Sequence, residues 1–319
     1  MRQIFGVVSF TEPLYCAADS LGKTISISLQ GIEGSLTLPS LPTWDESEKN
    51  SWHKPLLGPL PARSWKRGGE LIFWGCPISY PQGEASVELA LFEFLVESGN
   101  IDATAQLIYS NFDDWLQLFE QYIKLITKQG TKNNILDPNR TKNIDLVFYD
   151  NCQLTSIVPS NREEPVVIIE QSVDESLHLN QLEYASQLAS RSCKPHLHYQ
   201  MLLEAYSARR RNDYRKAIIE AATALEIGLT TRLEEELKLR GVSFGEKLLQ
   251  KFKMLSGRLE LAKLLEIPLP NKNYYELILN PRNDVIHRAT SPDKNLTDKV
   301  IFEVEEILYS ISPQVHVDE

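Results

Sequence analysis

The chain has 319 residues, a net charge of −10, 42% hydrophobic residues and 24% charged residues. This balance is typical of a globular protein long enough for two domains, and the net charge argues against indiscriminate coating of nucleic acid. The chain has no apolar run of membrane-spanning length and no signal-peptide pattern, and its four cysteines lie far apart, without metal or redox spacing. We therefore expect a reduced, cytoplasmic setting, no membrane contact and no cofactor.

Residues 1–174 have the composition of a β-rich domain with at least one helix. They hold all five tryptophans and 13 Lys/Arg against 22 Asp/Glu, a net charge of −9. Short β-like runs alternate with Gly, Pro, Ser and Asn punctuation, and "DDWLQLFEQYIKLITKQG" predicts an amphipathic helix. The strand-like runs are "IFGVVSF", "TISISLQ", "SLTLP", "ELIFWGCPISY", "NIDLVFYD", "CQLTSIVP" and "PVVIIEQSV". The segment "EASVELALFEFLVE" fits a strand or a helix equally well.

Residues 175–319 are helical in pattern and nearly neutral, with 20 Lys/Arg against 21 Asp/Glu. Two helices are predicted on either side of Pro195, and a long one follows in "DYRKAIIEAATALEIGLTTRLEEELKLRG". Its small side chains at three- and four-residue spacing would let another helix approach closely; they are Ala217, Ala221, Ala224 and Gly228. A last helix is predicted near 297–311. The sequence therefore predicts an α+β protein, with a β-rich domain over 1–174 and a helical bundle over 175–319.

Polar side chains crowd the stretch "LNPRNDVIHRAT", Leu279 to Thr290. Asn280 is a suitable N-cap and Pro281 suits the first helical position, which would place Arg282 and Asn283 in a first turn that attracts anions. Asn283 and His287 share a helix face, as do Asp284 and Arg288, which can pair. From local sequence, the stretch is either a capped, solvated helix end or an anion site suited to a phosphodiester.

The spacing of arginine and histidine does not decide between these alternatives. "RSCKPHLH" has the same spacing between Arg191 and His196, but Pro195 between them predicts that they lie on different elements. Cys193, His196 and His198 resemble zinc ligands, yet no second ligand pair stands near them, so we expect no metal site.

A second polar cluster lies in "ARRRNDYRK", where five basic residues have Tyr206 and Tyr214 nearby. Such a cluster could bind RNA through phosphate contacts and stacking, or form a solvated helix junction. Its basic residues are Arg209, Arg210, Arg211, Arg215 and Lys216.

Two segments carry a resemblance to the HEPN domain, an all-α fold of nucleotide-binding proteins, over roughly residues 195–312. One is "RNDVIH", with Arg282, the polar Asn283 and His287; the other is "LLEAYSARRRNDYRKAIIEAATALEIGLTTRLEEEL". The combination with a β-rich N-terminal half resembles the ApeA-like branch of phage-defence proteins. The acidic N-terminal domain would then act as a sensing, regulatory or substrate-recruiting module.

The resemblance implies a metal-independent endoribonuclease that pairs two protomers around one composite site. Arg282 would hold the scissile phosphate, His287 would act as general base or acid at the 2′-hydroxyl, and Asn283 would orient one of them. Asp284 would support the site by pairing with Arg288, or would instead act on the protonation of His287. The expected partners are RNA, with tRNA as one candidate, a second copy of the chain, and a phage-derived trigger or an antitoxin.

Two other functions are compatible with the same residues. One is a non-catalytic HEPN module that dimerises or binds a ligand, with Arg282 and His287 merely retained. The other is the toxin of a toxin–antitoxin pair. The presence of arginine, polar neighbour and histidine together favours the nuclease.

Overall fold

The chain forms two compact units, Met1–Lys194 and Pro195–Glu319. The structure is a computed structural model, and it describes residues 2–39, 64–67, 70–73, 78–79, 84–96, 101–131, 144–150, 153–156, 171–172 and 175–312. Sheets precede a mainly helical region, which confirms the α+β class. None of the helices described is both long and apolar enough to cross a membrane.

The first unit is built on a seven-stranded antiparallel sheet, ordered β10-β9-β1-β7-β3-β2, with β6 also paired to β7. Two small sheets pair β4 with β5 and β8 with β11. The strands are β1 (Arg2–Cys16), β2 (Thr24–Leu29), β3 (Ile32–Thr37), β4 (Ser64–Arg67), β5 (Glu70–Phe73), β6 (Ile78–Ser79), β7 (Ala85–Val96), β8 (Gly130–Thr131), β9 (Ile144–Asp150), β10 (Gln153–Ser156) and β11 (Gln171–Ser172).

The strand predictions hold wherever the structure describes the residues. The ambiguous segment "EASVELALFEFLVE" is strand β7, which pairs with β1 along almost its whole length. Its inward side chains include Phe92 and Phe94, fully buried, and such alternation suits a sheet face better than a helix. Most of the predicted strand "PVVIIEQSV" lies outside the described residues, of which Gln171–Ser172 is strand.

One long helix, α1 (Ile101–Thr127), covers an aromatic core in the first unit. Phe112 lies 5.1 Å from Phe92, and Trp115 stacks on Phe119 at 4.9 Å between ring centroids. The buried Glu120 of α1 accepts a hydrogen bond from the backbone N–H of Thr11 at 2.5 Å. Thr11 lies where the pairing of β1 with β7 shifts register, so Glu120 satisfies a backbone donor at this irregularity.

Helix α2 (Leu179–Ser190) belongs to the first unit, so the division falls at Lys194 and not at residue 174, where the composition changes. The hydroxyl of Ser186 donates to the carbonyl of Ser26 at 2.6 Å, and that of Ser190 accepts from Trp115 Nε1 at 3.2 Å. Leu177 also pairs with Cys16. These polar contacts attach α2 to strand β2 and helix α1. Helical periodicity alone does not predict such hydrogen bonds.

The second unit is a helical bundle around α4 (Tyr214–Leu239). Its other elements are α3 (Leu197–Arg210), α5 (Gly245–Lys251), α6 (Leu255–Leu264), a π-helical segment (Tyr275–Leu279), α7 (Asn280–His287) and α8 (Lys294–Ile311). The predicted small residues of α4 are all buried, and a Cβ added to Gly228 would clash with the side chain of Leu308 and lie 3.5 Å from the ring of His198. The absence of a side chain at Gly228 therefore lets α3 and α8 pack closely on α4.

Candidate functional site

The motif helix α7 is held between α4 and α8 by a small apolar cluster. Val285 of α7 is buried with Ile218 of α4 and Val300 of α8, and Ile219 packs against them. Each of these three residues lies on the apolar face of its own helix, and that face turns inward. The polar residues of α7 are thereby turned toward the surface of the second unit.

Helix α7 begins at Asn280, but the predicted N-cap at Asn280 is wrong. Leu279 and Asn280 are both in the right-handed helical conformation, and the chain is helical from Tyr274 through to His287. The N–H of Asn280 donates to the carbonyl of Tyr275, five residues back, as in a π-helix. Arg282 and Asn283 therefore lie inside a continuous helical segment, without the free N-terminal N–H groups that attract an anion.

The physical reason lies in Pro281. Inside a regular α-helix a proline lacks the N–H that would bond residue i−4, and its ring crowds that carbonyl, here the one of Leu277. The wider π-helical turn over Tyr275–Leu279 relieves this conflict without ending the helix. Sequence rules assign Asn-Pro to a helix start because a helix begins there far more often than a π turn absorbs the proline.

Arg282 and Asn283 contact each other directly. The guanidinium of Arg282 donates from Nη1 to the amide oxygen of Asn283 at 3.1 Å, and both side chains are half-buried. Within the part of the chain that the structure describes, Arg282 has no carboxylate partner. Its charge is therefore available to an external anion.

His287 is exposed and stands one helical turn after Asn283 on the same face of α7. Arg282 and His287 are five residues apart, which separates their directions by about 140° around an α-helix. Arg282 approaches the face of His287 only because its side chain turns to Asn283. One helix thus presents an unpaired guanidinium, an amide and an accessible imidazole, but does not bring the guanidinium and the imidazole together by itself.

Asp284 and Arg288 form the expected pair, with 3.0 Å between Oδ1 and Nη1. Arg288 is 76% exposed, so the pair contributes little to stability, about 0.5 kcal/mol. Its main effect on the site is to occupy the carboxylate of Asp284. Arg282 consequently stays unpaired although an acidic residue lies two positions away.

Most of the basic cluster predicted to bind RNA is engaged inside the second unit. Arg209 binds Asp298 of α8 through two nitrogens, at 2.6 and 3.1 Å, and Lys216 lies 3.6 Å from Glu204. Arg215 donates to the carbonyl of Val285 at 3.2 Å. Arg210 is half-buried, and only Arg211 is exposed without such a contact among the described residues.

The tyrosines near that cluster are also occupied. Tyr206 is buried and donates to Glu305 at 2.9 Å, and Tyr214 donates to Asn212 at 2.8 Å. The prediction that this cluster binds RNA therefore finds little support. Arg215 instead has a role that sequence spacing did not reveal, since its acceptor is a backbone carbonyl 70 residues away.

The second arginine–histidine match is divided between elements, as Pro195 predicted. Arg191 ends α2, and His196 precedes the first residue of α3. His198 is buried and stacked on His196, and burial lowers the pKa of His198 to about 4. Among the described residues no group of three His, Cys, Asp or Glu side chains could hold a metal ion.

Comparisons with known proteins do not identify the chain: no family model, no curated protein and no solved structure matches it. The chemistry of α7 and its surroundings therefore carries the functional argument.

Proposed function

We propose that the protein is a metal-independent endoribonuclease whose catalytic residues are Arg282, Asn283 and His287. The observation that carries the proposal is the unpaired guanidinium of Arg282, bonded to Asn283, on the same short helix as the exposed imidazole of His287. Arg288, by contrast, is paired with Asp284 and is not assigned to the chemistry.

In the proposed reaction the 2′-hydroxyl of the substrate attacks the adjacent phosphate. His287 takes the proton of this hydroxyl or gives one to the departing 5′-oxygen, and Arg282 stabilises the charge on the phosphate. The products are a 2′,3′-cyclic phosphate and a 5′-hydroxyl. Only RNA carries the attacking hydroxyl, so the chemistry selects RNA over DNA without contacts to the bases.

The wide angle between Arg282 and His287 supports a site completed by a second copy of the chain. Two motif helices facing each other would place the guanidinium of one protomer near the imidazole of the other. This arrangement agrees with the composite site that the HEPN resemblance implies. A role in antiphage defence, with RNA such as tRNA as the substrate and a phage-derived trigger, rests on that resemblance alone.

The test is RNA cleavage by the full chain in excess EDTA, with total RNA and tRNA as substrates. Arg282→Ala and His287→Ala should abolish cleavage, and Arg288→Ala should retain it as a matched control on the same helix. Cleavage that is absent from the wild type, or unchanged in the Arg282 and His287 variants, overturns the assignment. Binding of RNA without cleavage would favour a non-catalytic ligand-binding module.

A further inference from the structure

The helical pair α5–α6, over residues 245–264, is a basic surface segment of the second unit. It holds five Lys/Arg against two Asp/Glu in a chain whose net charge is −10. Its four lysines, Lys247, Lys251, Lys253 and Lys263, are all exposed.

The charges of this segment are not neutralised within the protein. Among the residues that the structure describes, none of the five forms an ion pair. Lys251 and Lys263 lie over the rings of Phe252 and Tyr274, at 5.5 and 5.4 Å from the ring centroids. Such contacts position an ammonium group but leave its charge available to an anion. The basic residues of 209–216 differ, because Arg209, Arg215 and Lys216 have acceptors within the unit.

Arg258 is the most unusual of the five. It lies on the face of α6 that carries the buried Leu255 and Ala262, and its Nε and Nη1 are enclosed without a hydrogen-bond partner. A guanidinium keeps its charge at every accessible pH, and an enclosed charged donor without an acceptor is costly. Since Nη2 is not among the enclosed atoms, the group can still meet an anion from outside, and partial desolvation strengthens that attraction.

Exposed apolar side chains accompany these charges. Phe244 precedes α5, and Met254 lies in the short connection before α6, both more than half exposed. An aromatic face beside unpaired cations suits a single strand of RNA, because bases stack on the ring while phosphates meet the cations. Helix α6 also contacts the π-helical segment that leads directly into α7.

We propose that α5–α6 is the RNA-binding surface of this protein, with Lys247, Lys251, Lys253, Arg258 and Lys263 contacting backbone phosphates. The choice of RNA as the ligand rests on the proposed function, but the test of binding does not require cleavage. RNA bound here would be held by sequence-independent contacts while the chemistry takes place at α7. The sequence-predicted cluster at 209–216 then serves the fold of the unit and not the substrate.

The experiment measures binding separately from cleavage. A fluorescent single-stranded RNA is titrated in EDTA with the full chain carrying His287→Ala, and the anisotropy is followed at several salt concentrations. The double variant Lys247→Gln/Lys251→Gln and the single variant Arg258→Gln are compared with Lys294→Gln/Lys299→Gln. This control removes two exposed lysines from α8 and matches the first variant in charge.

We expect the α5 double variant to raise the Kd about tenfold and to lower the steepness of the salt dependence by about 1.4, since each lost phosphate contact on a single strand accounts for about 0.7. Arg258→Gln should weaken binding as well, and Arg258→Lys should recover part of the loss. The control should bind as the parent does. Equal Kd and equal salt dependence for RNA in all variants overturn the proposal. The proposal also fails if the α5–α6 variants lose binding to anionic lipid vesicles while their RNA binding is intact. If RNA binding depends on α5–α6 but the protein never cleaves RNA, the proposed nuclease activity is refuted and the proposed RNA-binding surface is still supported.

Discussion

Arg215, at the start of α4, donates a hydrogen bond from Nη2 to the carbonyl of Val285 in α7 at 3.2 Å. The amide of Arg288 donates to the carbonyl of Asp284 as in a regular α-helix, and that of Thr290 reaches the same carbonyl because the chain takes a left-handed conformation at Ala289. The carbonyl of Val285 is one of the last four of its helix, which need a hydrogen-bond donor from outside the helix. Arg215 therefore fixes the end of α7 that carries His287.

Substituting Arg215 should disturb catalysis through position and not through RNA binding. We expect Arg215→Met to lower kcat for RNA cleavage about tenfold with little change in KM, because a lost hydrogen bond of about 1 kcal/mol loosens the end of the helix. Hydrogen exchange at the amides of 286–290 should become faster. Arg215→Lys should recover part of both, and Arg211→Met, at an exposed neighbour, should change neither. A rise in KM without faster exchange would instead favour direct RNA contact by Arg215.

The buried imidazole of His198 should make the second unit sensitive to acid. Burial, with the nearby His196 as a lesser cause, lowers the pKa of His198 to about 4, so the unfolded chain binds a proton here more readily than the folded one. The contribution of His198 to the free energy of unfolding is therefore fully present above about pH 6.5. It declines as the pH falls toward 4, by at most about 3 kcal/mol.

His198→Met should remove that part of the pH dependence and leave stability at pH 7 equal or higher, because the Nε2 of His198 is buried without a partner. Urea unfolding at pH 7 and pH 5 measures this difference. Far-UV circular dichroism is the suitable probe, since all tryptophans lie in residues 1–174. An identical loss of stability in wild type and variant between these pH values would contradict the prediction.

Gly228 should not tolerate a β-branched side chain. Gly228→Val would place new atoms against the buried Leu308 and the ring of His198, and overpacking of this kind costs about 2 kcal/mol. Leu308→Ala in the same chain should offset part of that loss by making room. Thermal unfolding of both single variants and of the double variant tests the coupling. Additive losses would show that α4 and α8 do not approach as closely at this point as the contact requires.

The buried carboxyl of Glu120 in the first unit should lower stability as the pH rises. Burial raises its pKa above the usual value, against the opposing effects of the Thr11 N–H and of Lys124, so the folded state binds the proton more tightly than the unfolded one. Stability from this group is highest at pH values below its unfolded pKa and is lost as the pH rises through the folded pKa.

Glu120→Gln should keep an acceptor for the N–H of Thr11 and remove this pH dependence, with stability at pH 7 equal or higher. Glu120→Ala should cost about 2 kcal/mol, because the N–H then loses its partner. Tryptophan fluorescence reports the transition, since Trp115 packs beside Phe119 on α1. Glu183→Gln, at an exposed position of α2, is the control. A Gln variant that is less stable than wild type at pH 7 would contradict this account.

Helical periodicity was sufficient to predict the core of the second unit. The small residues of α4 are buried as their spacing predicts, because a helix packed on one side has to repeat its apolar positions every three or four residues. Helix α5 has no buried residue, so it gives no periodic apolar pattern in the sequence.

The candidate site was only partly predictable. Local spacing sufficed for the pair of Asp284 and Arg288 and for the shared face of Asn283 and His287. The continuation of the helix through Pro281 depends on a π turn, and the role of Arg215 depends on a carbonyl far along the chain. The types of the neighbouring residues do not indicate either feature. Arg209, one of the residues predicted to contact RNA, forms an ion pair with Asp298, which lies far along the chain.

The chemistry of the cut ends of RNA reports on the proposed reaction itself. RNA treated with the wild-type chain in excess EDTA is analysed by mass spectrometry, with His287→Ala in parallel. Attack by the 2′-hydroxyl should give fragments that end in a 2′,3′-cyclic phosphate and begin with a 5′-hydroxyl, and none of them with the variant. Fragments with 3′-hydroxyl and 5′-phosphate ends, or cleavage that requires a divalent metal, would contradict it.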